Sequence, residues 1–276
     1  MAGKLILIAT PIGNLGDVSA RAREALAEAD VVACEDTRRT AKLLAHLGLE
    51  KPLEIYADHN EAAAAAKIAK RLSRGETIAL VTDGGAPLLA DPGYVIVQKA
   101  LAGGAEVDFI PGPSAVHAAL ALSGLPPYPY AFLGYMPRGR AERQAFLARY
   151  AALPATAVLF VAPHRIAAEL EAVREVWGER PAGLARELTK VHQEVLRGTL
   201  GTLTEAARGR KLKGEMTLVV GRGEEAPDAA TAVSLARDLV AAGLAKARAA
   251  ALAAKTFKIP KRIIYGELTA KGPGAE

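Results

Sequence analysis

Lys4–Thr10 reads KLILIAT, a short and nearly unbroken apolar run of the kind that sits as a strand covered on both faces of a parallel sheet. The run breaks at once into a turn, and the same device recurs. Asp30–Cys34 (DVVAC), Leu53–Tyr56, Thr77–Val81 (TIALV) and Glu106–Ile110 read as further short strands. Helices are expected between them. The first is capped by Ser19 and runs to Ala29, with Ala22, Ala25, Leu26 and Ala29 on one face. The second starts near Asp36–Arg38 and stops at Gly48, the third spans Asn60–Ser73, and the fourth spans Tyr94–Ala102 before Gly103-Gly104. Strands alternating with helices over about 110 residues indicate an α/β layer built on a mainly parallel sheet.

The pattern shifts after Pro111-Gly112-Pro113. A helix over Ser114–Ser123 is followed by Gly124-Leu125-Pro126-Pro127-Tyr128-Pro129, a composition that suits a crossing between lobes. A second α/β series follows: strand Ala131–Gly134, helix Ala141–Ala151, strand Ala157–Val161, helix His164–Trp177, and strands Gly183–Glu187, Val191–Gly198 and Gly214–Gly221. The strands near Glu187–Gly198 have no crossover helix between them, so this lobe is expected to hold a mixed sheet. Glu224–Asp228 reads as a hinge, and beyond it lies an Ala-rich helical tail. The expected parts are therefore 1–112, 113–224 and a small helical domain, 225–276. Between Leu239 and Gly266 the tail carries Lys246, Arg248, Lys255, Lys258, Lys261 and Arg262 and no acid. That is either a solvated face or an RNA-backbone contact.

Composition narrows the class. The 276 residues are 51% apolar, and Cys34 is the single cysteine. No intrachain disulfide can form, and a reducing cytoplasm fits. His46, His59, His117, His164 and His192 are scattered, so no metal site is expected. No apolar run approaches the roughly 18 residues of a membrane span, and the first residues lack the layout of a signal peptide. The net charge of +5 is compatible with a polyanionic partner.

Three Gly/Pro-rich turns leave the C-terminal ends of these strands, where open α/β sheets place ligands. The first is Thr10-Pro11-Ile12-Gly13-Asn14. Gly13 permits close backbone approach, and the dinucleotide fingerprint G-x-G-x-x-G is absent. The second is TDGGAPLLADPG, Thr82–Gly93, in which Asp83 and Asp91 can accept hydrogen bonds. The third is Pro111-Gly112-Pro113-Ser114-Ala115, with Ser114 at a helix N-terminus able to face an anion. Converging, they favour a small-molecule site.

Ten segments carry a resemblance along the whole chain: ATPIGNLGD (Ala9–Asp17), EDTRRT (Glu35–Thr40), DHNE (Asp58–Glu61), TDGGAPLLADPG, PGPSAV (Pro111–Val116), GLP (Gly124–Pro126), GYMPR (Gly134–Arg138), APHR (Ala162–Arg165), ARELTK (Ala185–Lys190) and KGEMTLVV (Lys213–Val220). Together they resemble the ribosomal small-subunit methyltransferase I family, rRNA cytidine 2′-O-methyltransferases of the tetrapyrrole-methylase (class III) fold. Gly84 and Ala86 stand where that family usually shows alanine and threonine, and Val161 stands where a glutamate usually precedes APHR. No acid role is assigned at 161.

The resemblance implies a two-lobed class III methyltransferase with S-adenosylmethionine bound between the lobes, a homodimer, a helical C-terminal domain that helps hold RNA, and 16S rRNA in the 30S subunit as substrate. Carried over by position, donor contacts come from Pro11, Gly84, Gly85, Ala86, Leu89, Ser114 and Ala115, with Ala162, Ala185 and Thr217 from the second lobe. A ribose 2′-hydroxyl is weakly acidic, so a base or a cation near the developing alkoxide helps. Glu35, Asp36, Arg38, Arg186, Glu187 and Lys213 are the expected polar rim. Asp36 and Glu187 are its candidate bases, Lys213 is the candidate alkoxide or phosphate contact, and Arg138 is expected on the RNA backbone. Each has a plainer alternative: Asp36 as a helix cap, Arg186–Glu187 as an ion pair, Lys213 as surface charge. The competing functions are the same fold methylating a small tetrapyrrole-like molecule, a non-catalytic RNA-binding assembly protein, and a nicotinamide enzyme, the last disfavoured by the missing glycine fingerprint.

Overall fold

The computed structural model describes residues 3–208, 210, 212–223, 229–257 and 259–269; the expected hinge at 224–228 lies outside them. The first series forms β1 (Lys4–Ile8), α1 (Ala20–Glu28), β2 (Val31–Cys34), α2 (Thr37–His46), β3 (Leu53–Ile55), α3 (Glu61–Leu72), β4 (Thr77–Leu80), α4 (Tyr94–Ala102) and β5 (Glu106–Ile110). The strands are all parallel, in the order β3-β2-β4-β1-β5. The apolar run in β1 is explained by its position between two helical layers. Ile6 and Ile8 pack with Ala22 and Leu26 of α1 and Leu43 and Leu44 of α2. Leu5 and Leu7 point the other way, onto Ile68 of α3 and Ile96 of α4.

The second series forms α5 (Ala115–Ser123), β6 (Tyr130–Tyr135), α6 (Arg140–Arg149), β7 (Thr156–Val161), α7 (Ile166–Trp177), β8 (Pro181–Arg186), β9 (Glu194–Thr199), α8 (Leu200–Arg208) and β10 (Met216–Val220). Its sheet order is β6-β7-β10-β8-β9. Only β6–β7 is parallel, so the sheet is mixed as expected. Helix α5 packs on this sheet: Val116, Ala119 and Leu120 share a core with Val158, Ala185 and Val219, and Ile12 from the first turn packs against it.

Helix α8 is absent from the sequence reading. The helix forms because Leu200, Leu203, Thr204 and Ala207 are buried and because its N-terminus is capped from two places. The Gly201 N–H donates to Glu179 Oε2 at 3.0 Å. Thr199 and Thr202 cap each other, with N–H to Oγ1 distances of 2.8 and 3.3 Å. The first of these caps comes from 22 residues away, outside any local signal.

Contacts divide the chain into two units: Met1–Ala151 with Ala155–Arg222, which holds both sheets, and Ala152–Pro154 with Gly223–Glu276. The second unit contains α9 (Ala229–Ala241), α10 (Lys246–Phe257) and α11 (Lys261–Thr269), closed around Ala232, Ala236, Ala250, Ala253, Ile259 and Ile264. Among the described residues no helix is long and apolar enough to cross a membrane.

Candidate active site

The strand order brings the three turns together. β1 lies between β4 and β5, so the loops leaving these strands emerge side by side. Thr10 and Gly85 exchange backbone hydrogen bonds at 2.9 Å in both directions, zipping the first turn to the second. The Thr10 hydroxyl adds a bond to the Thr82 carbonyl at 3.1 Å. The third turn closes on the same strand end: a Cβ at Gly112 would meet Ala9 O at 3.1 Å.

The second turn is held under backbone strain. Leu88 and Ala90 adopt left-handed φ angles of 73° and 68° without being glycine, each costing on the order of 1–3 kcal/mol that surrounding contacts must offset. Its far end is fixed at the start of α4. Gly93 offers that helix no capping side chain, and two residues of the neighbouring layer replace it. The Gly93 N–H donates to Glu61 Oε1 at 3.2 Å, and the Ile96 N–H donates to the Tyr56 hydroxyl at 3.2 Å. Tyr56 in turn donates to Glu61 at 3.0 Å. The start of the turn is tied to α2, where Asp83 Oδ1 accepts from the Asp36 N–H at 3.2 Å and Oδ2 lies 3.4 Å from Arg39 Nε.

A cleft of about 540 Å³ opens beside these turns, within the usual size of small-molecule sites. Pro11, Ile12, Gly13, Leu15, Arg39, Asp83, Gly84 and Asp91 line it from the first sheet and its loops. Ala115, Tyr135, Phe160, Val161, Ala162, Pro163, Leu188, Lys190, Glu215, Met216 and Thr217 line it from the second. The β7–β10 register explains part of the second wall, since it sets Met216 opposite Val161 and Thr217 opposite Phe160. Ala162 is positioned from α7: its N–H donates to Glu169 Oε2 at 3.3 Å, and Arg165 Nη2 holds Glu169 Oε1 at 3.0 Å. Burial pushes the Glu169 carboxyl up despite the Arg165 guanidinium.

Of the expected donor contacts, Pro11, Gly84, Ala115, Ala162 and Thr217 face this cleft; Gly85, Ala86, Leu89, Ser114 and Ala185 do not. Gly85 is used by the bridge to Thr10. Leu89 is exposed. Ser114 caps α5, its hydroxyl accepting from the His117 N–H at 3.4 Å. Ala185 is buried in the core against α5. Arg39, Tyr135, Phe160, Lys190, Glu215 and Met216 face the cleft without having been singled out. Arg39, Tyr135, Lys190, Glu215 and Met216 sit inside the quoted segments EDTRRT, GYMPR, ARELTK and KGEMTLVV, whereas Phe160 lies outside them and is placed by register.

The expected polar rim separates. Arg186, Glu187 and Lys213 border a second, shallower basin with His192, Arg210, Leu212 and Gly214. Arg186 is occupied there: Nε meets Glu194 at 3.2 Å, while Nη1 and Nη2 donate to the Lys213 and His192 carbonyls at 3.2 and 3.4 Å. It fixes the backbone that carries Lys213, whose side chain is exposed. Asp36, expected as a candidate base, is the N-cap of α2, accepting from the Arg38 N–H at 2.9 Å and binding the Arg38 guanidinium at 2.7 Å. Glu35, Asp36, Arg38 and Arg138 line neither cavity.

The two candidate bases are both held ionised. Arg38, through its guanidinium and its N–H, keeps the Asp36 carboxyl well below the usual carboxylate range. Lys190, bonded to the Glu187 carboxylate, lowers that group as well. A depressed acid is fully charged above its unfolded value, and its contribution to stability is lost only as pH falls through the lower folded value. Neither group therefore titrates near neutrality. Activity measured between about pH 6 and 9 should carry no ionisation from either; Asp36→Asn and Glu187→Gln should change rates without changing the shape of the pH profile. A limb that disappears in one variant would identify that residue as a titrating base.

A two-sheet unit with its cleft at the strand ends is the architecture of the tetrapyrrole methylases, and residues 4–204 match the model of that family, Tetrapyrrole (Corrin/Porphyrin) Methylases. A uroporphyrin-III C-methyltransferase from Thermus thermophilus, solved with S-adenyl homocysteine, superposes with a TM-score of 0.58 at 16% identity, over 79% of this chain and 97% of that one. Ribosomal RNA small subunit methyltransferase I of Xylella fastidiosa is 43% identical over 269 residues, covering 96% of this chain and 98% of its own. The Mesorhizobium japonicum protein of the same name is 41% identical over 266 residues, covering 96% and 90%. The chain belongs to the ribosomal RNA small subunit methyltransferase I family.

Proposed function

We propose that this protein transfers a methyl group from S-adenosylmethionine to the 2′-hydroxyl of a cytidine in the decoding region of 16S rRNA, acting on the 30S subunit in the cytoplasm as a homodimer. The observation that carries the reading is the cleft at the zipped first and second turns, in a chain that aligns end to end with rRNA methyltransferases. Bound there, the donor supplies a methyl group on a positively charged sulfur, an electrophile that needs no metal. Among the described residues there is no cluster of three or more metal-ligating side chains.

The cleft suits such a molecule. At Gly84 a Cβ would come within 3.2 Å of Pro11 O, so backbone rather than side chain lines that edge. Asp83, Asp91 and Glu215 present carboxylates, and Tyr135, Phe160 and Met216 give an apolar wall. Pro11, Gly84, Ala115, Ala162 and Thr217 would hold the donor. Gly85, Ala86, Leu89, Ser114 and Ala185 would act on it only through the backbone they brace. The protein's own contribution is alignment, which can supply a large part of the barrier reduction. Lys213 stands at the neighbouring basin to contact a phosphate or the developing alkoxide. Asp36 and Glu187, held as carboxylates, organise the rim. Arg38, Arg138 and the exposed basic side chains of α10 and α11 would meet the RNA backbone, with Glu35 beside them in the polar rim.

Ribose-methylation mapping of rRNA from cells with and without this protein tests the assignment. One 2′-O-methylcytidine in the small-subunit rRNA is expected to disappear on deletion and return on complementation. An unchanged map, with porphyrinoid methylation by the purified protein, would select the small-molecule alternative instead.

A further inference from the structure

The turn after β8 doubles back. Glu187 and Thr189 take left-handed φ angles of 50° and 64°, and the Lys190 N–H donates to the Glu187 carbonyl at 3.0 Å. Non-glycine residues keep such angles where neighbours over-determine them; here the Glu187 N–H donates to the Glu215 carbonyl at 2.9 Å, the Thr189 N–H donates to Gln193 Oε1 at 2.8 Å, and the Lys190 side chain adds to these. Its ammonium donates to Glu187 Oε1 at 2.9 Å and to Glu215 Oε2 at 3.1 Å. Glu187 Oε1 also accepts from the Glu215 N–H at 3.0 Å. One cation thus reinforces the tie between the β8 turn and the residue just before β10.

The aliphatic stem has a second contact. A Cβ at Gly13 would come 2.4 Å from Lys190 Cγ and 2.9 Å from its Cε. Gly13 has no left-handed backbone angle to require glycine; the space is taken by the lysine stem and, at 3.0 Å, by the Leu188 carbonyl. Gly13, Leu188, Lys190 and Glu215 all face the main cleft. Partial burial works against the Lys190 charge, but its two carboxylate bonds outweigh burial and keep it protonated.

We propose that Lys190 is a positioning residue of the methyl-transfer site: its stem sets the spacing between the first turn and the β8 turn, and its ammonium pins Glu187 and Glu215 beside the Lys213 loop. The inference rests on the donor-site reading above. The two halves of the side chain have separable duties. The stem shapes the donor end of the cleft. The ammonium neutralises two carboxylates that would otherwise repel an approaching phosphodiester chain.

Lys190→Met keeps a stem and removes the charge. Its Kd for S-adenosylmethionine, by calorimetry, should stay within about threefold of wild type, while kcat/KM on 30S subunits falls about 100-fold. Lys190→Arg should recover most of that loss. Gly13→Ala should weaken donor binding about tenfold in the wild type, and less in a Lys190→Ala background, because the two lysine carbons it strikes are gone and only the Leu188 carbonyl, at 3.0 Å, remains. Wild-type kcat/KM in Lys190→Met, or an undiminished Gly13→Ala penalty beside Lys190→Ala, overturns the proposal. Thermal midpoints of the wild type, both single variants and the double variant read the same Gly13–Lys190 coupling without any ligand. A wild-type protein that binds no S-adenosylmethionine would therefore sink the donor reading and leave this coupling independently decided.

Discussion

Gly84→Leu is expected to raise the Kd for S-adenosylmethionine by at least about 100-fold, roughly 2.7 kcal/mol of lost binding, with the fold intact. Gly84 lies where the first and second turns meet, and a Cβ there would already stand 3.2 Å from Pro11 O and 3.5 Å from Ile12 Cα. Its backbone is not left-handed, so a side chain does not strain the loop itself. The side chain must instead go into the cleft or push the turns apart, and the Thr10–Gly85 bridge resists the second outcome. Leucine therefore fills donor space. Calorimetry gives the affinity, and circular dichroism with a melting curve checks the fold. Binding within threefold of wild type would remove Gly84 from the donor site.

The second large effect is expected from Lys213→Ala: kcat for rRNA methylation falls by about 100-fold or more, while the Kd for S-adenosylmethionine changes less than about threefold. The Lys213 carbonyl is held by Arg186 at 3.2 Å, and the next residues are held by the Glu187 carboxylate through the Glu215 N–H. The backbone is thus fixed while the side chain is left exposed, which suits a group that must meet a large substrate. Truncation removes the charge and leaves its platform. Single-turnover methylation of 30S subunits separates this from a binding defect. Full methylation by the alanine variant would return Lys213 to the status of surface charge.

The sequence is most legible where local chemistry dictates the outcome. The run Lys4–Thr10 predicts a strand buried on both faces, and β1 sits between two helical layers. The three Gly/Pro turns predict a site at the strand ends, and the bridge between Thr10 and Gly85 joins the first two there. Legibility fails where partners are remote. Helix α8 depends on a cap from Glu179. Phe160, which lies in no quoted segment, is placed in the cleft wall by antiparallel register opposite Thr217. Gly85, Ser114 and Ala185 lie in the right segments, but backbone pairing, capping and core packing occupy them. Motif position identifies a neighbourhood; which atoms face the cleft is settled by packing.

Glycines around the first sheet differ in the room they leave, and at the N-terminal end of the strands Gly3 is packed tightly against the Leu72 and Glu76 backbone. Near the strand C-terminal ends, a Cβ at Gly13, Gly84 or Gly112 would meet neighbours at 2.4 to 3.2 Å. Near the opposite end, Gly48 and Gly104, which close the helices ahead of β3 and β5, have nothing within 4 Å. The loops containing Gly48 and Gly104 are consequently the places where inserted epitopes, fluorophores or affinity tags can be accommodated, or where the chain can be cut and its ends rejoined, with the cleft left intact.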